Sequence, residues 1–483
     1  MNRRMVILTV GKILMIEALL MLLPLAVSLI YMDTSSLWSF AISIGATLLF
    51  AFLLMFIGKT KDSIIFAKEG FVIVAFSWLL MSIFGALPFV ISGEIPSFID
   101  AFFETVSGFT TTGASILRNV EAMSRPMLFW RSFTHWIGGM GVIVFVMAII
   151  PSTTDRSIHI MRAEVPGPVV GKLVPKVRET AKILYLIYIA LTLVLIILLL
   201  LGKMPLFDSL IHAFGTAGTG GFGLKCDGIT SYSPYLQWVL AIFMLLFGTN
   251  FNLYYLILLR RIRSVLKSEE LWCYLGIVAA SVAMVAGNVH TMYDSFSETL
   301  RASFFQVSSI ITTTGFATTD FNTWPVLSKS ILLILMFIGA CAGSTGGGFK
   351  VSRLVILFKT IKGNLKKMLH PRATNSVRFE GKGIENDTVM GVLNYLAVYI
   401  GIFFLLFLAV CACGKFDIET NFSACAACYN NIGPAFGAAG PMSSYADYDI
   451  ISKLLLSFSM LFGRLELFPM IFLFSPKLWS KKS

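Results

Sequence analysis

Charge is scarce in this chain. Of its 483 residues, 13% are Asp, Glu, Lys or Arg and 57% are hydrophobic. A soluble domain averages about 25% charged residues, so the deficit excludes an ordinary soluble fold. Histidine is scarcer still, with 5 residues. No apolar segment carries the paired Asp, His/Glu cluster or Ser/His pair that a membrane-embedded enzyme would need, so an enzyme is not expected. A nucleotide site is missing too. The run from Gly343 to Lys350 superficially resembles a phosphate-binding loop, but it lacks the Gly-Lys-Ser/Thr ending and follows an apolar span. The 7 cysteines are an odd number, and Cys273, Cys341, Cys411 and Cys413 lie in apolar runs. Cys425-Ala-Ala-Cys428 has no second pair or His neighbour, which favours buried small residues over a redox or metal site.

Long apolar runs are abundant. Met5 to Ile30, Phe71 to Ile91, Ile183 to Leu201 and Leu393 to Cys413 are each long enough to cross a bilayer, for which about 20 residues suffice. The first run follows Arg3 and Arg4 but is too long for a signal core and has no small-x-small cleavage site after it, so it reads as an uncleaved span. The net charge of +12 is distributed on one side of these spans. Basic residues gather at the N-terminus, around Lys59 to Lys68, from Pro151 to Lys182, from Arg260 to Lys267, from Lys350 to Lys382 and in the tail. The positive-inside rule places those segments and both termini in the cytosol. The charge thus fits a bilayer surface and anionic lipid, not nucleic acid.

Internal similarity organises the rest. Four short segments interrupt the apolar pattern: Thr111-Thr112-Gly113, Thr219-Gly220-Gly221, Thr313-Thr314-Gly315 and Asn431-Ile432-Gly433. Eleven residues before each final glycine stands a large apolar residue, respectively Phe102, Leu210, Phe304 and Phe422, and slightly earlier an acid, Asp100, Asp208, Glu298 or Glu419. The intervening stretches are too short to span about 30 Å at about 1.5 Å per residue. They predict re-entrant helices that enter the membrane and turn back. An acid at the start suits the positive end of the helix dipole. Irregular backbone at that depth is tolerated only where protein buries it or water lines it, which four such segments around one axis achieve. The expected fold is an all-α integral membrane protein with two leading helices and four helix, pore-loop, helix repeats around a central pore, giving ten crossings. The expected boundaries are residues 1–69 for the leading helices, then repeats at 70–175, 176–268, 269–383 and 384–483.

A permeating cation sheds water at a constriction, and carbonyl oxygens replace it. Glycine frees the backbone angles that aim a carbonyl inward. Thr111, Thr112, Thr313 and Thr314 can add hydroxyls, and the absence of a carboxylate ring favours K⁺ over a divalent ion. Together with Ala342-Gly343-Ser344-Thr345-Gly346-Gly347-Gly348 and Gly463-Arg464-Leu465-Glu466-Leu467-Phe468-Pro469, the four segments resemble the Trk/Ktr/HKT potassium-uptake superfamily, most closely its bacterial TrkH/TrkG branch. The resemblance covers nearly the whole chain. It implies potassium uptake across a bacterial cytoplasmic membrane by a homodimer with one pore per protomer. It also implies a cytosolic ring of TrkA-type nucleotide-binding regulatory subunits, so nucleotide control would come from another chain. The family's filter glycines carry over to Gly113, Gly221, Gly315 and Gly433. Relatives that favour Na⁺ often carry Ser at the first of these, whereas this chain has Gly113.

Three consecutive glycines, Gly346 to Gly348, disfavour a helix, so Ala342 to Gly348 is expected to leave its helix and lie across the pore as a gate. Arg464 is read as the one basic residue deep within a span, on a helix running from Ile450 to Phe474. There it would face the cavity under the filter and hold carbonyls of the Ala342 to Gly348 loop. Phe247 to Asn252 places two amides, Asn250 and Asn252, mid-span. His135 and His212 suit packed positions, with a proton site for symport as the alternative at His135. Two other function classes remain open: a Na⁺- or H⁺-coupled symporter, and a non-pore secondary transporter.

Overall fold

The computed structural model describes residues 1–60, 67–139, 141, 177–371 and 377–476. The basic segments expected at 151–176 and 477–483 lie outside these residues. The described residues are mostly helical. Among them six helices are long and apolar enough to cross a bilayer: Arg3–Ile30, Thr34–Ile57, Lys68–Ser92, Glu179–Leu201, Glu269–Met292 and Asn386–Ala412. The first two are the leading helices, packed closely together where Gly11 meets the Ala51 carbonyl and Gly58 meets the backbone of Leu8. The other four each open a repeat.

The polarity of the molecule is that of a lipid-solvated protein. Large apolar side chains face outward on the peripheral helices, with Leu49, Phe56, Leu201 and Leu405 all more than two-thirds exposed. Small and polar residues fill the centre, including Thr110, Thr112, Thr312, Thr314, Asn430 and Asn431, which are fully buried. Where lipid replaces water the outer surface has no reason to be polar, and the irregular backbone collects inside.

Each opening helix is followed by a re-entrant helix: Phe98–Phe109, Leu206–Ala217, Phe296–Ile311 and Ile418–Tyr429. Three of these are started by a side-chain cap, in which Ser97, Ser295 and Asp417 accept the N–H of Asp100, Glu298 and Thr420. The Thr420 hydroxyl and N–H together hold the Asp417 carboxyl below its ordinary pKa. The expected acids Asp100, Asp208, Glu298 and Glu419 all fall in the first turn.

The second helices depart from expectation. A break is anticipated only after the third re-entrant helix, and it is there, between Val326–Ile338 and Val351–Leu369. The second repeat is broken as well: Pro234–Phe247 turns by 90° into Phe251–Leu258. Asn250 is therefore not mid-span but caps the new helix by accepting the Asn252 N–H at 3.0 Å. The last helix does not run to Phe474 either. It ends at Arg464 and restarts at Phe468, with Glu466 and Leu467 at positive φ. In the first repeat Arg125–Gly139 leads to residues outside the described set. Beyond the third break a two-residue turn, Glu380 and Gly381, both at positive φ, joins Arg378–Phe379 to Lys382–Gly383 as a short hairpin.

The helix ends meet the re-entrant helices through glycine. A Cβ at Gly138 would overlap the Phe109 carbonyl, and one at Gly463 would overlap the Tyr429 carbonyl and come within 2.8 Å of Asn431 Oδ1. Gly463→Ala is therefore expected to lower stability by about 1 to 3 kcal/mol. Gly45→Ala, at a helical position with open space around it, should gain up to about 1 kcal/mol. Thermal unfolding of the purified variants in detergent checks this, and equal midpoints would contradict the close contact at Gly463.

Candidate ion pore

Each re-entrant helix ends in the same way. Thr111, Thr219, Thr313 and Asn431 adopt left-handed φ values of 56°, 55°, 59° and 57°. The next N–H then reaches back five residues: Thr112 to the Ser107 carbonyl at 2.9 Å, and Gly220 to Gly215, Thr314 to Ser309 and Ile432 to Ala427 at 2.8 Å. This is a helix C-cap of the kind glycine normally serves. A β-branched residue in that region is strained, so three threonines there point to a requirement beyond termination. Two residues after those positions come Gly113, Gly221, Gly315 and Gly433, again at positive φ (79°, 75°, 84° and 97°).

These glycines close a ring. A Cβ built on Gly113 would overlap the carbonyl oxygen of Gly220; one on Gly221 would overlap that of Thr314, and one on Gly315 that of Ile432. A Cβ on Gly433 would come 2.6 Å from the Thr112 oxygen and complete the circuit. In every repeat the carbonyl just before the glycine thus lies against the glycine of the preceding repeat in the ring. All twelve residues singled out in the sequence, from Thr111 to Gly433, belong to this one structure. Its hydroxyls are braced from behind: Thr110 shares a hydrogen bond of 2.8 Å with Thr112, Thr312 does the same with Thr314, and Asn431 Nδ2 donates to Thr112 Oγ1 at 3.0 Å.

On one side of the ring lies a vestibule of about 370 Å³, lined by all four glycines together with Ser115, Arg118, Lys225, Phe316, Pro434 and Tyr445, among others. On the other side lies the loop from Ala342 to Gly348, set off by Gly339 and Lys350 at positive φ. The Gly347 N–H donates to Thr313 Oγ1 at 2.6 Å, and a Cβ on Gly346 would come 2.8 Å from the Thr312 carbonyl. The loop is therefore pressed against the residues that enter the ring, while the vestibule is lined by those that leave it.

The loop is tied to every repeat. Cys341 N–H and Thr345 Oγ1 donate to the carbonyls of Gly248 and Phe247 at the second-repeat break, at 3.1 and 3.2 Å. Gly343 accepts the Phe251 N–H at 3.0 Å. Arg464 Nη1 donates to the Thr345 carbonyl at 2.8 Å, and Nη2 donates to Gly139 at 2.7 Å and also to Gly138. One guanidinium thus joins the loop to the first and fourth repeats. Lys350 Nζ donates to the Gly346 carbonyl.

Sequence reasoning missed several partners. Arg464 is not the lone deep cation: Arg131, Lys350, Arg353 and Lys453 are buried as well. Three of these have carboxylate partners, Arg131 with Glu104 at 2.6 Å, Lys453 with Asp100 at 2.7 Å and Arg353 with Glu466. Pairing of this kind is what permits charge at such depth. Glu270 was unremarked, yet its Oε1 accepts the Ala342 N–H at 2.7 Å while Asn250 Nδ2 donates to its Oε2. Two consecutive acids, Glu269 and Glu270, directly after the Ser268 cap read locally as a helix start, which concealed this long-range contact.

His135 is buried between two of the ring segments, with Nδ1 bonded to the Gly108 carbonyl at 2.8 Å and Nε2 accepting the Phe222 N–H at 3.3 Å. Those partners define a neutral ring protonated at Nδ1. His212 Nδ1 meets the Asp208 carbonyl at 2.7 Å. Cys425 and Cys428 are buried on the fourth re-entrant helix. Among the described residues no group of three or more His, Cys, Asp or Glu is placed to hold a metal ion.

Comparison with known proteins follows this geometry. The family model for TrkH, described as a cation transport protein, matches residues 37–272 and 270–483. The potassium uptake protein TrkH of Salmonella typhimurium is 36% identical over 99% of this chain and 100% of its own length. The potassium uptake protein TrkG of Escherichia coli is 35% identical over 97% of each. The crystal structure of the potassium transporter TrkH from Vibrio parahaemolyticus superimposes with a TM-score of 0.88 at 32% identity, covering 99% of this chain and 100% of that one.

Proposed function

The chain belongs to the TrkH cation-transport family, and from that membership we propose that it takes up potassium through the glycine ring. The observation that carries this reading is the closed circuit of glycine and carbonyl contacts. Four backbone oxygens, from Thr112, Gly220, Thr314 and Ile432, form a constriction between the vestibule and the loop from Ala342 to Gly348. Carbonyl dipoles replace the ion's water without holding it as tightly as carboxylates would. The Thr111, Thr112, Thr313 and Thr314 hydroxyls either face the ion or brace the loop, and Asn431 does the latter through Thr112.

The loop from Ala342 to Gly348 serves as the gate, a role supported by its seat against Thr312 and Thr313. Arg464 holds it by hydrogen bonds to Thr345 and, as a cation beneath the filter, repels the permeating ion. Glu270 holds the other end of the loop at Ala342. Opening requires those bonds to exchange partners. The exposed basic surface beyond the break, Lys362, Lys366 and Lys367 with Arg260, Arg261 and Arg263, suits docking of the acidic face of a cytosolic regulatory ring of the TrkA type. Nucleotide control comes from that ring, and the functional unit is a homodimer with both termini in the cytosol.

Flux into proteoliposomes under K⁺, Na⁺ and Rb⁺ gradients tests the core of this reading, with K⁺ and Rb⁺ expected to pass ahead of Na⁺. Gly113→Ser forces a side chain against the Gly220 carbonyl, so the ring must widen. It should lower the K⁺/Na⁺ permeability ratio by about tenfold, equivalent to about 1.4 kcal/mol. Unchanged reversal potentials in mixed solutions would reject the filter assignment.

Arg464→Ala removes both the barrier and the latch and should raise K⁺ conductance several-fold while leaving the permeability ratio unchanged. Arg464→Lys keeps the charge but loses the planar fork, so its conductance should lie between the two. A folded Arg464→Ala protein that conducts no more than the parent would leave Arg464 a structural residue. ATP or NADH should change flux only when the regulatory ring is added. Nucleotide-sensitive flux from the purified chain alone would exclude control by a partner.

A further inference from the structure

The ring has four seams, and one of them is built differently from the rest. Position nine before the ring glycine is Glu104 in the first repeat but His212, Gln306 and Ala424 in the others. Seven residues before the second-helix glycine that meets the end of the re-entrant helix, Gly138 in the first repeat and Gly463 in the fourth, stand Arg131 and Leu456 respectively. Glu104 and Arg131 are both buried and form an ion pair of 2.6 Å. The pair is not isolated. Glu104 Oε1 also accepts the Ser115 hydroxyl at 2.9 Å, and Oε2 accepts the Ile116 N–H at 2.9 Å, so the carboxylate fixes the strand leaving the first ring segment. Arg131 Nη1 donates to the Gly223 carbonyl at 3.3 Å, and its guanidinium carbon lies 3.4 Å from the centre of the Phe222 ring, so the cation fixes the strand leaving the second. His135 spans the same seam a turn away.

Resting on the filter assigned above, we infer that Glu104 and Arg131 are positioning residues for selectivity, holding the first and second filter segments at a fixed separation by one buried, charge-assisted clamp. The physical case is as follows. A carbonyl cage discriminates ions only if its radius resists adjustment, and Gly113 and Gly221 have no side chains with which to resist. At the strands leaving the ring the neighbouring seams have neutral contacts: Ile229 N–H to the Ala317 carbonyl between the second and third repeats, Gly437 N–H to Asn322 Oδ1 between the third and fourth, and Tyr445 N–H to the Ser115 carbonyl between the fourth and first. The ion pairs that cross those seams sit elsewhere: Lys329–Glu419 and Lys453–Asp100 at the starts of re-entrant helices, and Arg118–Asp447 on the exposed surface. A hydrogen bond between ions is roughly twice as strong as a neutral one, and the guanidinium plane adds its stacking on Phe222. Both ions are compensated, so the clamp stiffens the seam without adding net charge beside the permeating cation. Removing one partner leaves a buried ion unpaired, which is the costly case. Arg131→Lys retains the charge but cannot reach Glu104 and Gly223 together while lying on Phe222.

The test compares reversal potentials in mixed K⁺/Na⁺ solutions for Glu104→Gln, Arg131→Lys and the double variant Glu104→Gln/Arg131→Gln, with Glu179→Gln, an exposed pair remote from the ring, as control. Each single variant should lower the K⁺/Na⁺ ratio by about fivefold or more, and the double variant should lose no more than the worse single, because coupled partners are not additive. A variant too unstable for flux is read instead by the shift in its unfolding temperature on replacing Na⁺ with K⁺ in detergent, which should shrink relative to the parent. Gly113→Ser is measured alongside. If Gly113→Ser alters the ratio while the clamp variants keep it within twofold of the parent and keep their K⁺-dependent shift, the clamp is only structural and the inference falls. If Gly113→Ser changes nothing either, the filter assignment falls and takes the clamp with it.

Discussion

A helix that stops halfway through a bilayer leaves carbonyl groups with no water to bind them, and everything at the centre of this protein answers that one constraint. The four re-entrant helices end at Phe109, Ala217, Ile311 and Tyr429, facing one another. Part of the deficit is met locally, by the N–H that reaches back five residues from Thr112, Gly220, Thr314 and Ile432. Part is met by the second helices: Gly138 and Gly463 come close enough to cover the carbonyls of Phe109 and Tyr429 with backbone, and the loop at Gly347 supplies an N–H to Thr313. Under the function proposed above, the oxygens just before the ring glycines are the ones left for a cation.

Strain follows from the same geometry. Three threonines and an asparagine occupy left-handed positions where glycine would be relaxed, at a cost of about 1 to 3 kcal/mol each. Fully buried surroundings hold them there. Glycine is reserved for the position two residues on, where the neighbouring carbonyl leaves no room for a side chain. The division is economical: the residue that needs a hydroxyl accepts backbone strain, and the residue that needs contact gives up its side chain.

The sequence made the ring legible because its demands are local and repeated four times, so the Thr-x-Gly spacing and the apolar residue eleven positions earlier could be recognised without knowing any contact. Arg464 was legible for the opposite reason, as a charge with no local excuse. The long-range bond from Arg464 to the loop was legible too, at Thr345; what escaped was ion pairing across long separations. Arg353 finds Glu466 and Arg131 finds Glu104, and before folding each looked like part of a basic loop or a span edge. The breaks at Gly248 and after Arg464 escaped because one glycine or one arginine in an apolar run does not cancel a helical pattern. They are imposed by the loop that the broken ends must accommodate. Glu17, buried in the first leading helix with neither carboxylate oxygen hydrogen-bonded among the described residues, looked from sequence like an ordinary helix residue.

A single chain with four repeats also has a freedom that four identical subunits lack. Identical subunits must carry a feature four times or not at all, so a gating loop would be four loops meeting on the axis and a charged clamp would be eight buried ions around one ion path. Here the loop is built once, in the third repeat, and grips all the others: Phe247 and Gly248 in the second, Arg464 in the fourth, and through Arg464 the first. The Glu104–Arg131 pair is likewise built once, and the equivalent positions have drifted to His212, Gln306 and Ala424. The backbone near the ions keeps its fourfold pattern, since ring closure demands it of every repeat. The side chains behind it are released from symmetry, and the two asymmetric devices occupy different repeats; under the function proposed above, this lets gating bonds exchange in one place while the seam between the first two ring segments stays fixed in another.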